Sequence, residues 1–167
     1  MYKHLNRENL LNSSQHGFRS KCSTTSALLH SNFKYVSYLD KRADVDVILF
    51  DFSKAFDVVN HHLLLLKLKA YCFGKFTCAW IADFLAGRQQ YVCIGPSVSQ
   101  PVSVPSGVIQ GSVLGPLLFI IFVNDLPDVV RSSDTFLHAD DLKLCKAITS
   151  NRDRLNMQAD IDAVSLW

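Results

Sequence analysis

The segment Val45 to Phe50 reads VDVILF, short, β-branched and almost wholly apolar, and it is followed at once by Asp51. Such a run suits a buried strand, and a buried helical turn shows the same pattern. A carboxylate that emerges where a buried strand reaches the surface is costly to bury unpaired, so Asp51 needs something to neutralise it. The chain around it has 167 residues, 49% hydrophobic and 19% charged, an ordinary mix for one globular domain that excludes disorder and collagen-like order. Folding at this length buries roughly 70% of the surface of the unfolded chain, enough for a core without metal or disulfide staples. The five cysteines, Cys22, Cys72, Cys78, Cys93 and Cys145, are odd in number and lack paired CxxC spacing. They read as reduced thiols rather than a disulfide framework or a zinc site. No basic-then-apolar leader opens the sequence, so the expectation is an intracellular protein, in nucleus or cytoplasm and not secreted. The apolar stretch Val113 to Val123 contains Gly115 and Pro116 and falls short of the ~20 residues of a membrane span, so it reads as a core element with no membrane partner. A net charge of +2 does not announce a nucleic-acid partner, which must be argued from local sites.

No internal repeat, low-complexity tract or long linker divides the chain. Met1 to Lys21 is polar and aperiodic, a loop with at most a short helix. Ser23, Thr24 and Thr25 can cap a helix in which Leu28, Leu29, Phe33, Val36 and Leu39 recur at helical spacing up to Asp40. Asn60 can cap another to about Tyr71, and Gly74 separates it from a helix ending near Gly87. Gln89 to Ile94 returns to strand character, and Pro96, Pro101, Pro105 and Gly107 mark a turn-rich region. Pro116 stands where a first helical position belongs, with a buried helix following to about Asp125. Thr135 to His138 and Leu142 to Ile148 read as strands around a tight turn at Ala139-Asp140-Asp141, and a helix closes the sequence from Arg152 to Trp167. The order is α+β, with acidic positions at strand ends.

Asp140 and Asp141 are adjacent in the predicted turn, and adjacent residues point to opposite sides, so at least one can face inward. If Asp51 and Asp140, 89 positions apart, meet in space, their repulsion asks for a divalent cation. Hard oxygen ligands favour Mg²⁺, with substrate phosphates completing its shell, and two such ions roughly 3.5–4 Å apart would clamp an in-line phosphoryl transfer. Each aspartate alone is more readily a turn-former or a cap.

Three strings change that weighting: Asp51-Phe52-Ser53-Lys54-Ala55-Phe56-Asp57, Ser106-Gly107-Val108-Ile109-Gln110-Gly111-Ser112-Val113-Leu114-Gly115-Pro116-Leu117-Leu118-Phe119, and His138-Ala139-Asp140-Asp141. Their order and spacing resemble the sequence blocks of reverse transcriptases, in particular the polymerase domain of non-LTR, LINE-like retrotransposons. Gln15-His16-Gly17-Phe18-Arg19 with Ser23-Thr24 is similar to that family's fingers motif, and Met157-Gln158 to Trp167 resembles the segment after its catalytic turn.

The resemblance implies a right-hand polymerase fingers-palm fragment with an antiparallel palm sheet packed on helices and the thumb absent. Residues 1–167 would form one such domain, 1–43 fingers-like and 44–167 mainly palm-like, with 75–104 as a fingers-like insertion. Asp51 would match the first metal-binding aspartate and Asp140 with Asp141 the catalytic pair, holding two Mg²⁺ with Mn²⁺ as a possible substitute. Phe56 would match the aromatic residue that excludes a 2′-hydroxyl, since a rigid ring occupies the volume the extra oxygen needs. Gln110 and Gly111 would lie against nucleotide and template, and Arg19 and Lys21 would meet a triphosphate or template backbone. Without the motifs, Phe56 reads as core, Gly107, Gly111 and Gly115 as turn and helix-entry residues, Arg19 as a loop charge and Lys54 as a surface ion-pair member. The implied activity is RNA-directed DNA synthesis, with an RNA template, a DNA primer and deoxynucleoside triphosphates as partners. The alternative is a truncated, inactive nucleic-acid-binding remnant of a mobile element, and a third reading is an interaction module.

Two residues depart from the family pattern. His138 stands where members usually carry Tyr or Phe, placing a smaller, ionisable ring beside the expected metal site. Ile109 replaces the usual Pro before the glutamine, releasing a fixed φ in that loop. The family's later lysine block and thumb lie beyond the matching pattern.

Overall fold

The structure, a computed structural model, describes residues 1–167. Its backbone gathers into two compact units, Met1–Leu5 with Lys54–Phe122, and Asn6–Ser53 with Val123–Trp167. Helices and antiparallel strands are mixed, as the α+β expectation held. The first element, α1, is Tyr2–Arg7, and the rest of the polar opening is irregular.

The second unit is built on a three-stranded antiparallel sheet of β1 (Asp44–Asp51), β6 (Asp134–His138) and β7 (Asp141–Ile148) in the order β1-β7-β6. Helix α2 (Thr24–Leu39) packs on β1 and β6, and α6 (Asn151–Leu166) runs along β7. Ser23 closes a capping box with Ser26 at the start of α2, and Ser150 does the same with Asp153 for α6, so both helix entries satisfy orphan backbone donors locally. On the face that α2 covers, His30 and Tyr35 meet the ring of Phe136 edge-on, and Lys34 pairs with Asp134 at 2.9 Å while the Tyr38 hydroxyl donates to the same carboxylate. On the opposite face Leu137, Leu142, Leu144 and Ile148 are buried, and burial of each stabilises by roughly 1.5–3 kcal/mol.

β1 is an edge strand rather than the wholly buried one its composition suggests. Leu49 is 69% exposed, because the face of the sheet on which it stands opens there into a cleft, and β1 itself has a neighbour only in β7.

In the first unit, α3 (His61–Ala70) packs on α4 (Lys75–Leu85) and α5 (Gly115–Phe122), closing over Leu64, Leu68, Ile81, Leu118 and Phe119. Asn60 caps α3 through Leu63, as its residue type predicts. The expected strand Gln89 to Ile94 is broken into β2 (Gln89–Gln90) and β3 (Cys93–Ile94), which pair with β4 (Ser97–Val98) and β5 (Val102–Ser103) from the proline-containing region. Val92 interrupts the ladder by donating its N–H to the Ser99 hydroxyl instead of a backbone carbonyl. Helix α5 stops at Phe122 and a 3₁₀ turn follows at Leu126–Val129, since Pro127 cannot supply a helical N–H and Asn124 spends its side chain on the backbone of Leu10 and Asn12.

Candidate active site

The register of the sheet decides which carboxylates face each other. Asp51 stands directly opposite Asp141 across β1 and β7, and His138 stands opposite Asp141 across β6 and β7. Directly opposed residues share a face, with Cβ atoms about 4.5–5.5 Å apart. The sheet therefore ends in a row of Asp51, Asp141 and His138, above a second row of Leu49, Lys143 and Phe136. A one-residue slip of β7 would turn Asp141 to the other face, and the alternation of buried Leu142 and Leu144 guards against it. Like charges placed directly opposite destabilise a sheet, so the Asp51–Asp141 pair costs stability.

The connecting turn is shorter than the sequence suggested. It consists of Ala139 and Asp140 alone, because Asp141 already belongs to β7. Ala139 has φ +58°, a conformation that two-residue hairpins need but that glycine or asparagine usually supplies. Asp140 is half-buried at this turn, one residue from Asp141. A cleft of about 510 Å³ opens beside the row, lined by Ala27 and Leu28 of α2, Leu49, Phe136 and Lys143, with Asp51, His138 and Asp141 along its rim.

The oxygen donors of Asp51 and Asp141 suit a hard divalent cation. No three His, Cys, Asp or Glu side chains converge into a metal-ligating group, so the donor set at hand is this cross-strand pair with Asp140 one residue away.

Two residues next to the turn, Gln15 and His16, carry no assigned role in the sequence reading, and Arg19 and Lys21 are the expected phosphate contacts of the same segment. Gln15 is buried, and its amide bonds both peptide groups of Ala139. His16 lies beside His30, with the ring nitrogens 3.4 Å apart; burial, then His30, Arg19 and His138 nearby, hold its pKa below the usual imidazole value. Arg19 turns its guanidinium inward to the carbonyls of Asn12 (2.7 Å) and Gln15 (3.1 Å), bracing its own loop, while Lys21 is exposed at φ +65°. The Gln15-to-Arg19 string was the available signal. It marked the segment without saying which side chain touches the turn.

The other candidates lie in the first unit. Phe56 stacks on buried Phe119, ring centroids 4.0 Å apart, which fixes the orientation of its ring. Gln110 Nε2 donates to the Asp57 carboxylate at 2.8 Å. Gly111 has φ +81° and open space where a side chain would stand, so its backbone is accessible to a ligand. These groups line or adjoin a groove of about 810 Å³ that includes Lys54, Asp57, Arg88, Gln89, Gln90 and Gln110. Arg88 was not anticipated; it donates to the carbonyls of Leu85, Ser106 and Gly107, tying the end of α4 to the loop that carries Gln110.

The whole length of this α+β chain, residues 1–167, matches the reverse transcriptase (RNA-dependent DNA polymerase) family. The chain belongs to that family. Its relatives are of the non-LTR retrotransposon type. It is 32% identical over 162 residues to the RNA-directed DNA polymerase from mobile element jockey of Drosophila melanogaster, covering 92% of this chain and 18% of that protein. The probable RNA-directed DNA polymerase from transposon BS of the same organism is 34% identical over 113 residues, 68% of this chain and 12% of the relative. The Pol polyprotein from type-1 retrotransposable element R2 of Popillia japonica is 28% identical over 101 residues, 60% of this chain and 16% of the relative. The chain thus spans between 12% and 18% of the length of these relatives.

Proposed function

We propose that this chain is the fingers and palm portion of an RNA-directed DNA polymerase of the non-LTR type, with Asp51, Asp140 and Asp141 as its catalytic, metal-holding residues. The observation that carries the reading is the direct opposition of Asp51 and Asp141 at the end of the sheet, next to the turn that bears Asp140. In this reading residues 1–43 are fingers-like, 44–167 mainly palm-like and 75–104 a fingers-like insertion. The substrates are an RNA template, a DNA primer and deoxynucleoside triphosphates, and the setting is intracellular, consistent with five free thiols.

When bound by these carboxylates, a pair of Mg²⁺ ions would lower the pKa of a primer 3′-hydroxyl and carry the charge of the departing pyrophosphate. The residues of the chain position the reactants. Asp51 and Asp141 present oxygens from a rigid sheet, and the fixed ring of Phe56 bars a 2′-hydroxyl. Gln110, oriented by Asp57, offers a carbonyl and an amide N–H to nucleotide or template. Lys21 is free to approach phosphate, and Arg19 shapes the loop that presents it.

The test is extension of a DNA primer on an RNA template with Mg²⁺ or Mn²⁺. The wild-type chain is expected to incorporate nucleotides, and Asp140→Ala and Asp51→Ala to abolish incorporation while leaving the fold intact by circular dichroism. A folded chain that binds primer-template but extends no primer is the outcome that favours the inactive-remnant alternative.

A further inference from the structure

We propose that Gln15 is a positioning residue for the carboxylate turn, holding Ala139 by both of its peptide groups and so deciding where Asp140 stands; this rests on the polymerase reading above. Gln15 is only 2% exposed. Its Oε1 accepts from Ala139 N–H at 2.9 Å and from Gly17 N–H at 2.6 Å, and its Nε2 donates to the Ala139 carbonyl at 3.2 Å. Both oxygen lone pairs are used, and a side-chain amide offers an acceptor and a donor to one residue in this way at any pH, whereas a carboxyl does so only when protonated.

The turn needs such support. Ala139 sits at φ +58°, where an alanine does not stay unless its surroundings hold it. Asp141 is located by the ladder through its pairing with Asp51 and His138, whereas Asp140 lies outside the ladder and depends on the turn alone. Gln15 therefore acts on the one carboxylate that the sheet does not fix.

The segment carrying Gln15 is itself anchored to β6. Leu137 N–H donates to the Ser14 carbonyl at 2.9 Å, and His16 N–H donates to the Leu137 carbonyl at 2.8 Å, forming a parallel bridge of Gln15 with Leu137. Gly17 lies so close that a Cβ there would stand 2.2 Å from the Ala139 nitrogen. Backbone pairing, a glycine contact and a buried amide converge on one residue 124 positions away in the chain.

The experiment compares wild type, Gln15→Ala, Gln15→Glu and Asp140→Ala in primer extension on an RNA template with Mg²⁺, together with amide exchange at Ala139 and Asp140. Gln15→Ala is expected to stay folded, to keep its nucleotide KM within about twofold and to lose kcat on the order of 10²-fold. Gln15→Glu keeps the acceptor oxygen and regains the missing donor only when its carboxyl is protonated, so its kcat relative to wild type should rise as the pH is lowered toward the pKa of that carboxyl. A merely structural amide would lower stability without that pH profile. Wild-type kcat in folded Gln15→Ala overturns the proposal and leaves the polymerase reading standing, and so does wild-type kcat in Gln15→Glu at about pH 8, where its carboxylate supplies no donor. If wild type is as inert as Asp140→Ala, the polymerase reading fails first. Amide exchange then decides the clamp, and unchanged protection of Ala139 in the variants overturns it.

Discussion

At Gly17 the missing side chain is a structural requirement. A Cβ built there meets the Ala139 nitrogen at 2.2 Å and its Cα at 2.9 Å, and backbone atoms cannot step aside as a flexible side chain would. Gly17→Ala is therefore expected to destabilise by about 1–3 kcal/mol, as overpacking does, and to loosen the carboxylate turn at the same time. Gly107 repeats the situation against the Asp57 backbone, with its carbonyl oxygen 2.7 Å from the missing Cβ and a φ of +83° as well. Gly111 has no steric neighbour, so Gly111→Ala carries only the conformational cost, about 1–2 kcal/mol. Urea denaturation checks the ranking: the midpoints should fall in the order Gly111→Ala least and Gly107→Ala most. The residue types at these positions were visible in the sequence as motif glycines. Which of them serve close approach and which serve backbone freedom was not, because the approaching backbone comes from a distant part of the chain.

Among the elements, α6 depends on a buried carboxylate held by neutral hydrogen-bond donors. Asp160 is buried and accepts from the N–H groups of Arg131 and Ser132 and from the Ser132 hydroxyl. Burial opposes its ionisation, but those donors outweigh it and hold its pKa below the ordinary carboxylate value. A depressed folded pKa adds stability above the unfolded value near ~3.9, and that stability is lost as the pH falls through the folded pKa. Asp160→Asn is expected to cost about 1–3 kcal/mol at pH 7 by leaving one of the N–H donors poorly served. The gap between variant and wild type should narrow at about pH 3, and a gap that stays constant with pH would remove the ionised carboxylate from the explanation. The helix itself was legible in its spacing, as were the caps of α2 and α3 at Ser23 and Asn60, since capping is a matter of three or four consecutive residues. The Asp160 contact was not legible, and neither were the ladders at β4 and β5 nor the two-residue length of the carboxylate turn. The Asp160 contact is decided by a partner 28 to 29 positions away, the β3–β4 pairing joins residues only three to five apart that carry little strand signal, and in the turn an alanine takes a conformation that its own residue type disfavours.

Over the whole molecule the small net charge conceals an uneven distribution. The unit formed by Met1–Leu5 and Lys54–Phe122 carries six Lys and Arg against two Asp, while the unit formed by Asn6–Ser53 and Val123–Trp167 carries eleven against thirteen Asp and Glu. A bulk value of +2 therefore understates the attraction that one unit offers to a polyanion. Within the basic unit, Lys67 and Arg88 are committed to backbone carbonyls, and Lys3, Lys54, Lys69 and Lys75 are exposed. If these four meet phosphates, counterion release gives a slope of about −3 for log Kobs against log salt on single-stranded nucleic acid. Replacing Lys54 and Lys75 together by Gln should reduce the slope to about half. Replacing Lys41 and Arg42 in the acidic unit should leave it unchanged, because Asp40, Asp44 and Asp46 surround them in sequence and already offset their charge. Fluorescence anisotropy of a labelled oligonucleotide between low and moderate salt measures all three slopes, and equal losses from the two pairs of replacements would assign the binding to net charge rather than to the basic unit.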